Sequence, residues 1–303
     1  MKKRKFEGNE RFYLHEVLYS GLLSSRYGNM AHRFEQAFVD KFDVPYAIAV
    51  NSGTSALFVA LKACGVGPGD EVIVPCLGPT PTAAAVVHTG ATPVFVDIDP
   101  KTYCMDPLKI QVSDKTIAII PVHIFGNLCD MDSIMKIADK HGLYVIEDCA
   151  QAYDPAYDMA GDIACFSFEQ TKHICCGDGG MAITVDPLLA KKMRQYSDHG
   201  LSNVPLEFDF PGYNFRMSEL VAAVGLAQME TAKGGVLYKP YQFGVFENTE
   251  ANEYEESLKA LGTEYSRAPW GKLVYQHEMF GAQKGLCPVA EELHPNLFIF
   301  PTR

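Results

Sequence analysis

Between residues 46 and 148 the chain alternates short apolar runs with longer amphipathic ones, and this constrains the fold more than any other feature of the sequence. The segments YAIAV (46–50), EVIV (71–74), TPVFV (92–96), TIAIIPV (116–122) and LYVI (143–146) are rich in Val, Ile and Ala and bounded by turn-forming residues, as buried strands are. Between them, ALFVALKAC (56–64), residues 83–88 and residues 131–141 carry helical spacing. Strand and helix in alternation predict an α/β protein built on a mixed, mostly parallel sheet sandwiched by helices. Upstream, ERFYLHEVLYS (10–20) has apolar residues at helical spacing and ends at Gly21, and Phe34, Phe38 and Phe42 mark the apolar face of a second helix. A chain of 303 residues can bury a large core and form a main domain, residues 1–231, plus a smaller α+β domain, 232–303.

Three stretches carry chemistry. In CFSFEQTKHICCGDGGM (165–181) an alternating strand pattern breaks at residues 169–172 and resumes after a Gly-Asp-Gly-Gly turn, leaving Lys172 on the loop between two strands. Such a lysine is either an ordinary solvated one or, walled in by Phe166, Phe168, Cys175 and Cys176, an amine of lowered pKa suited to Schiff-base chemistry. In LYVIEDCAQAY (143–153) four apolar residues end at Glu147 and Asp148, which places carboxylates at a strand's carboxyl edge, where open α/β sheets hold ligands. Asp148 is then either an exposed loop acid or the carboxylate that keeps a pyridine nitrogen protonated. In YAIAVNSGTSAL (46–57) a strand runs into Asn51, Ser52, Gly53, Thr54 and Ser55 and then a helix, so the segment is a plain N-cap or a phosphate site at a helix N-terminus. The GVGPGD run (65–70) follows a helix instead of a strand and reads as a turn, not a dinucleotide fingerprint.

Composition narrows the partners. A net charge of −11 argues against nucleic acid, whose phosphates are bound by basic surface, whereas a diphosphate sugar needs only a local cluster such as Arg26, Arg194 and Arg216. Nine scattered cysteines, with no CxxC pair, read as reduced, buried thiols of a cytoplasmic protein. The opening MKKRK is not followed by an apolar leader segment, and no run is long enough to span a membrane. No His, Cys or carboxylate set repeats at ligand spacing on one element, so no metal is expected. His123 is expected to pack at a strand end.

Taken together, the three stretches resemble the DegT/StrS-type sugar aminotransferases, pyridoxal phosphate (PLP) enzymes of the aspartate-aminotransferase fold that act on keto-sugars. The likeness runs from about residue 10 to 229 and returns near the C-terminus in LCPVAEE (286–292) and LFIFP (297–301). It implies that Lys172 is the Schiff-base lysine, that Asp148 pairs with the pyridine nitrogen and that Gln151 lies by the ring hydroxyl. Gly53, Thr54, Ser55 and Ser167 would then hold the phosphate, with His173 orienting its neighbours. GYNFRMSEL (212–220) matches the family segment whose asparagine, here Asn214, reaches the neighbouring subunit's cofactor, which implies a homodimer with shared active sites. Arg26 and Tyr27, in the loop between the first two helices, are candidate substrate contacts, as is Arg216. The implied reaction transfers an amino group from glutamate or glutamine to a keto-sugar, most often one linked to dTDP, UDP or GDP.

The sequence departs from that pattern in three places. Relatives place an aromatic residue after the VIVP strand to stack on the pyridine ring, whereas PCLGPTPTAAA (75–85) offers Leu77 or Pro79. The loop between Gln151 and Gly161 is short, and after AQMET (227–231) the expected long helix and most of the small domain are missing, so segments near 152–160 and 231–234 are expected to be absent from this sequence. Other readings remain open. A sugar dehydratase of the same family would carry histidine where Lys172 stands. An aminocyclitol (keto-inositol) aminotransferase would share the cofactor motifs, and a non-catalytic sensor would bind PLP or a nucleotide sugar without turnover.

Overall fold

A computed structural model describes residues 5–153, 158–202, 207–232, 241–245, 248–263, 265–281 and 284–301. Two helices, α1 (Glu10–Ser20) and α2 (Met30–Phe42), precede the first strand, and α1 ends at Gly21 as its sequence predicts. The main body then runs β1 (Tyr46–Val50), α3 (Gly53–Ala63), β2 (Glu71–Pro75), α4 (Pro81–His88), β3 (Thr92–Val96), β4 (Thr116–Ile119), α5 (Met131–His141), β5 (Tyr144–Asp148), β6 (Ile163–Ser167), β7 (Gly180–Thr184), α6 (Pro187–Ser197) and α7 (Glu219–Thr231). The turn at residues 65–70 joins α3 to β2, where the Gly67 N–H donates to the Asp70 carboxylate at 2.9 Å.

Seven strands form one sheet in the order β1-β7-β6-β5-β4-β2-β3, in which β7 alone runs against its two neighbours. The mixed, mostly parallel sheet expected from the sequence is therefore present. Strand alternation separates two cores. Ile48, Val50, Val72, Val74, Ile163 and Cys165 face α3 and α6, while Ala47, Ala49, Ala164, Phe166, Met181 and Ile183 face α1, α2 and α7. The three phenylalanines of α2 stack into the second core, with Phe38 5.4 Å from Phe166 and 5.6 Å from Phe168. Because β2 has β3 on one side and β4 on the other, the strand order reverses there and a crevice opens at the carboxyl ends.

Beyond α7 come β8 (Tyr241–Val245), α8 (Asn248–Ala260), β9 (Ser266–Arg267), α9 (Pro288–Leu293) and β10 (Leu297–Pro301), whose three strands form an antiparallel sheet. Its small core of Ala251, Leu258 and Phe298 is not the whole of its packing. Leu273, Tyr275, Cys287 and Leu297 bury themselves with Ile73, Ile119 and Val145 of the large sheet. The two places where segments were expected to be missing adjoin residues 154–157 and 233–240, which lie outside the described residues.

Candidate active site

A cavity of about 230 Å³ lies at the carboxyl edge of the sheet, and Lys172, Asp148, Ser167, Gly53 and Thr54 all line it. These residues come from three separate stretches of sequence, brought together because β1, β5 and β6 end at one level of the sheet.

Glu147 and Asp148 are neighbours on β5, so the period-2 alternation of a strand sends them to opposite faces. Glu147 is fully buried. Its carboxylate accepts hydrogen bonds from the amides of Ala160 and Gly161, at 3.0 and 2.7 Å, and pairs with His123 Nε2 at 2.9 Å. The Cys129 N–H donates to His123 Nδ1 at 3.1 Å, which leaves the ring proton on Nε2, facing Glu147. His123 thus packs at a strand end, as expected. Asp148 turns toward the cavity. Its Oδ1 accepts from the Ala150 N–H at 3.0 Å and its Oδ2 from the Thr82 hydroxyl at 2.8 Å.

Lys172 sits on a turn closed by its own N–H donating to the Glu169 carbonyl at 2.9 Å. Burial lowers its pKa from the ordinary lysine value, and the nearby carboxylates of Asp148 and Glu169 only partly oppose that shift. A basic group whose pKa is lowered keeps more neutral, nucleophilic amine at any given pH. Of the four residues the sequence placed around it, Phe166 and Phe168 line a cleft with Lys172, while Cys175 is buried and Cys176 half-buried outside that lining.

Helix α3 opens at the cavity with the Ser52 hydroxyl accepting the Ser55 N–H at 3.1 Å. Ser52, Gly53 and Thr54 line the cavity. Ser55 is not among the lining residues, because its hydroxyl donates inward to Asn51 Oδ1 at 2.7 Å. Gly53 is required by space: a Cβ there would come within 2.7 Å of the Ser167 Cβ and 3.1 Å of its Oγ. The helix start and Ser167 therefore form one cradle of hydroxyl groups and amides. Gln151 and His173 line a smaller cleft that also touches Lys172 and Ser167, and Gln151 Oε1 accepts the Phe125 N–H at 2.8 Å. The His173 ring lies 5.3 Å from that of Tyr153.

The remaining candidates sit elsewhere. Arg26 and Arg216 converge on one carboxylate, Asp198, and Tyr27 is 71% exposed. Arg194 does not join them in a diphosphate cluster as the sequence suggested. Its guanidinium makes two hydrogen bonds to the Glu35 carboxylate, at 2.9 and 3.0 Å, and a third to the Ala47 carbonyl. Asn214 is exposed, in an isolated bridge with Asp198, and does not line its own chain's cavity. Leu77 is buried away from the cavity wall, and Pro79 lines it instead.

Sequence reasoning missed Leu57, Pro81 and Thr82, which also line the cavity; for Thr82, nothing local to residues 75–85 connects it to a carboxylate 66 positions away. It also missed two buried groupings with metal-ligand chemistry, Cys76 with Asp97 and Cys287, and His123 with Glu147 and Cys149, whose ligand atoms lie within 4.8 Å of one another. Folding assembles each from separate elements, which spacing along one element cannot reveal. Their polar atoms already serve the fold: besides the His123 bonds, the Asp97 carboxylate accepts the amides of Ile98, Val289 and Ala290.

A lysine with lowered pKa, a carboxylate held facing it and a hydroxyl-and-amide cradle at a helix N-terminus fit the aldehyde, ring nitrogen and phosphate of PLP. Comparison with known proteins points to the same cofactor. The chain is 42% identical over 271 residues to a GDP-perosamine synthase of Caulobacter vibrioides, covering 87% of this chain and 71% of that protein. It is 44% identical over 233 residues to the spore coat polysaccharide biosynthesis protein SpsC of Bacillus subtilis, covering 71% of this chain but 59% of that one. Among solved structures, NtdA of Bacillus subtilis, crystallised with bound cofactor PMP, superposes with a TM-score of 0.88 at 28% identity, covering 97% of this chain and 76% of that one. The model of the DegT/DnrJ/EryC1/StrS aminotransferase family matches residues 5–239, and the chain belongs to that family.

Proposed function

We propose that this protein is a PLP-dependent aminotransferase that moves an amino group from glutamate or glutamine onto a keto-sugar linked to a nucleotide. The observation that carries the reading is the convergence of Lys172, Asp148 and the opening of α3 on one cavity at the carboxyl edge of the sheet. When bound, PLP supplies an aldehyde that forms an imine with amines and a protonated ring that withdraws electrons. The chain's own groups would do the rest. Ser52, Gly53, Thr54 and Ser167 would hold the phosphate, and Ser55 would support them by fixing Asn51. Asp148 would hold a proton on the ring nitrogen. Lys172 would anchor the cofactor through Nζ and, once released, carry protons to and from the reacting carbon as general acid and base.

A name such as GDP-perosamine synthase on a relative 42% identical favours a nucleotide-linked sugar. The Asp198 carboxylate shared by Arg26 and Arg216 leaves one positive charge in excess, which suits a phosphate group there. We further infer a homodimer in which Asn214 serves the partner's cofactor, a division into residues 1–231 and 232–303, and a cytoplasmic location. None of the helices among the described residues is long and apolar enough to cross a membrane. Lysine at position 172 disfavours the dehydratase reading, since those relatives carry histidine there.

The test is direct. Purified protein loaded with PLP should turn yellow, and borohydride should fix the cofactor to Lys172 as a stable secondary amine, located by peptide mass. Screening nucleotide keto-sugars with glutamate should then release 2-oxoglutarate. Label on a different lysine would overturn the site assignment. Correct labelling without release from any nucleotide sugar would shift the reading to a keto-inositol substrate or a silent sensor.

A further inference from the structure

Asp148 owes half of its hydrogen bonding to a residue far from it in sequence. Thr82, 4% exposed, donates its hydroxyl to Asp148 Oδ2 at 2.8 Å, while the Ala150 N–H occupies Oδ1. Each carboxylate oxygen has two lone-pair sites, so both oxygens keep one free, and the pair of donors decides how the plane of the carboxylate lies. Thr82 is itself held in place. It is the second residue of α4, behind Pro81, and the run before it contains Gly78 at φ +152 and Pro79. The base of that run is pinned on two sides, by the Cys76 N–H donating to the Val96 carbonyl at 2.9 Å and by the Cys76 carbonyl accepting the Val274 N–H at 3.0 Å. Pro79 and Pro81, on either side of Thr80, fix two backbone torsions, so little of this loop is free to move.

We propose that Thr82 is a positioning residue that fixes the Asp148 carboxylate plane, so that the same oxygen always meets the cofactor's ring nitrogen, and that the Gly78–Pro81 turn exists to place it. The inference rests on the function proposed above. An aromatic ring pressed on the cofactor would limit its tilt; Pro79 offers a smaller surface, so the ring nitrogen's partner must be held more firmly from its far side.

The experiment compares apoprotein of the unchanged chain, Thr82→Val and Thr82→Ser by titration with PLP, by visible absorbance of the loaded protein and by steady-state kinetics. Valine keeps the shape and removes the donor. It should weaken PLP binding and lower kcat about tenfold each, the worth of one hydrogen bond to a charged group, while KM for the amino donor stays within about twofold. Serine, which keeps the hydroxyl, should restore both. Thermal melting of the three apoproteins separates this from general damage, since a positioning role predicts a smaller loss in the apo melt than in cofactor affinity. Equal affinity and kcat in valine and unchanged protein would overturn the proposal, and so would failure of serine to rescue. If the unchanged protein takes up no PLP at Lys172, the proposed function itself is wrong and this inference goes with it.

Discussion

Adjacent acids on β5 do unrelated work, and the direction each side chain takes decides which. Glu147 is locked among His123, Ala160 and Gly161 in the core, whereas Asp148 meets the cavity that Lys172 also lines. Replacing Asp148 with asparagine keeps the shape but leaves one acceptor oxygen where the Thr82 hydroxyl and the Ala150 N–H now use two, and it removes the charge that holds the ring proton. Cofactor should still bind while turnover falls by about 10² to 10⁴, the usual worth of a group that handles a proton. Steady-state assays with a loaded variant check this, and near-normal turnover would make Asp148 structural. At this scale much of the site was legible: a strand that stops at an acid, and a lysine on a loop between phenylalanines, declare themselves locally. Ser55 was not, because whether a serine at a helix start points at a ligand or back at Asn51 depends on rotamer and neighbours, not on the pattern NSGTS.

At the scale of elements, β1 is the edge of the large sheet, and an exposed edge is a template for pairing with other chains. Its outward side is covered at the carboxyl end by the main chain of Phe215, which accepts the Asn51 N–H at 2.8 Å, and further back by two side chains. The Glu35 carboxylate of α2 accepts the Ala49 N–H at 2.8 Å, and Arg194 of α6 donates to the Ala47 carbonyl at 3.0 Å while gripping Glu35. Glu35→Ala would leave the buried Ala49 amide without its acceptor at a cost of about 1–3 kcal/mol, and Arg194 without its anchor. The urea midpoint should fall accordingly, with more aggregation at the edge, and an unchanged midpoint would mean that water replaces the carboxylate freely. Arg194 was assigned to the substrate from sequence because an arginine in a helix carries no mark of its partner. Glu219 gives a matching case, since its carboxylate accepts the amides of Met30 and Ala31 and so fixes the start of a helix 188 and 189 positions away.

For the whole molecule, the site depends on parts that never touch it. The C-terminal segment pins Cys76 through Val274, and Val289 and Ala290 are tied to Asp97, so residues beyond 270 hold the loop that carries Pro79 and Thr82. The exposure of Asn214, outside its own cavity, suits a residue that acts on a partner. If, as proposed, Asn214 serves the cofactor phosphate of a partner in a homodimer, each of the variants Asn214→Asp and Lys172→Ala should be nearly inactive alone, the first because it would set a carboxylate against a phosphate dianion. Unfolded and refolded together, they should recover activity in mixed dimers, where one site has both Lys172 and the intact asparagine of the other chain. A mixture as inactive as its components would show that Asn214 serves its own chain.

The alternation of strands and helices, the place where β5 ends, the capped opening of α3 and the turn bearing Lys172 were all determined by the sequence alone, because each rests on periodicity, turn residues or a cap within a few positions. Only the tertiary structure decided that Thr82 would grip Asp148, that Glu35 and Arg194 would close the edge of β1, and that Asp198 would take both Arg26 and Arg216. Such contacts join residues tens to hundreds of positions apart. They follow from which strands end at one level and which helices share a face, and no local pattern encodes that.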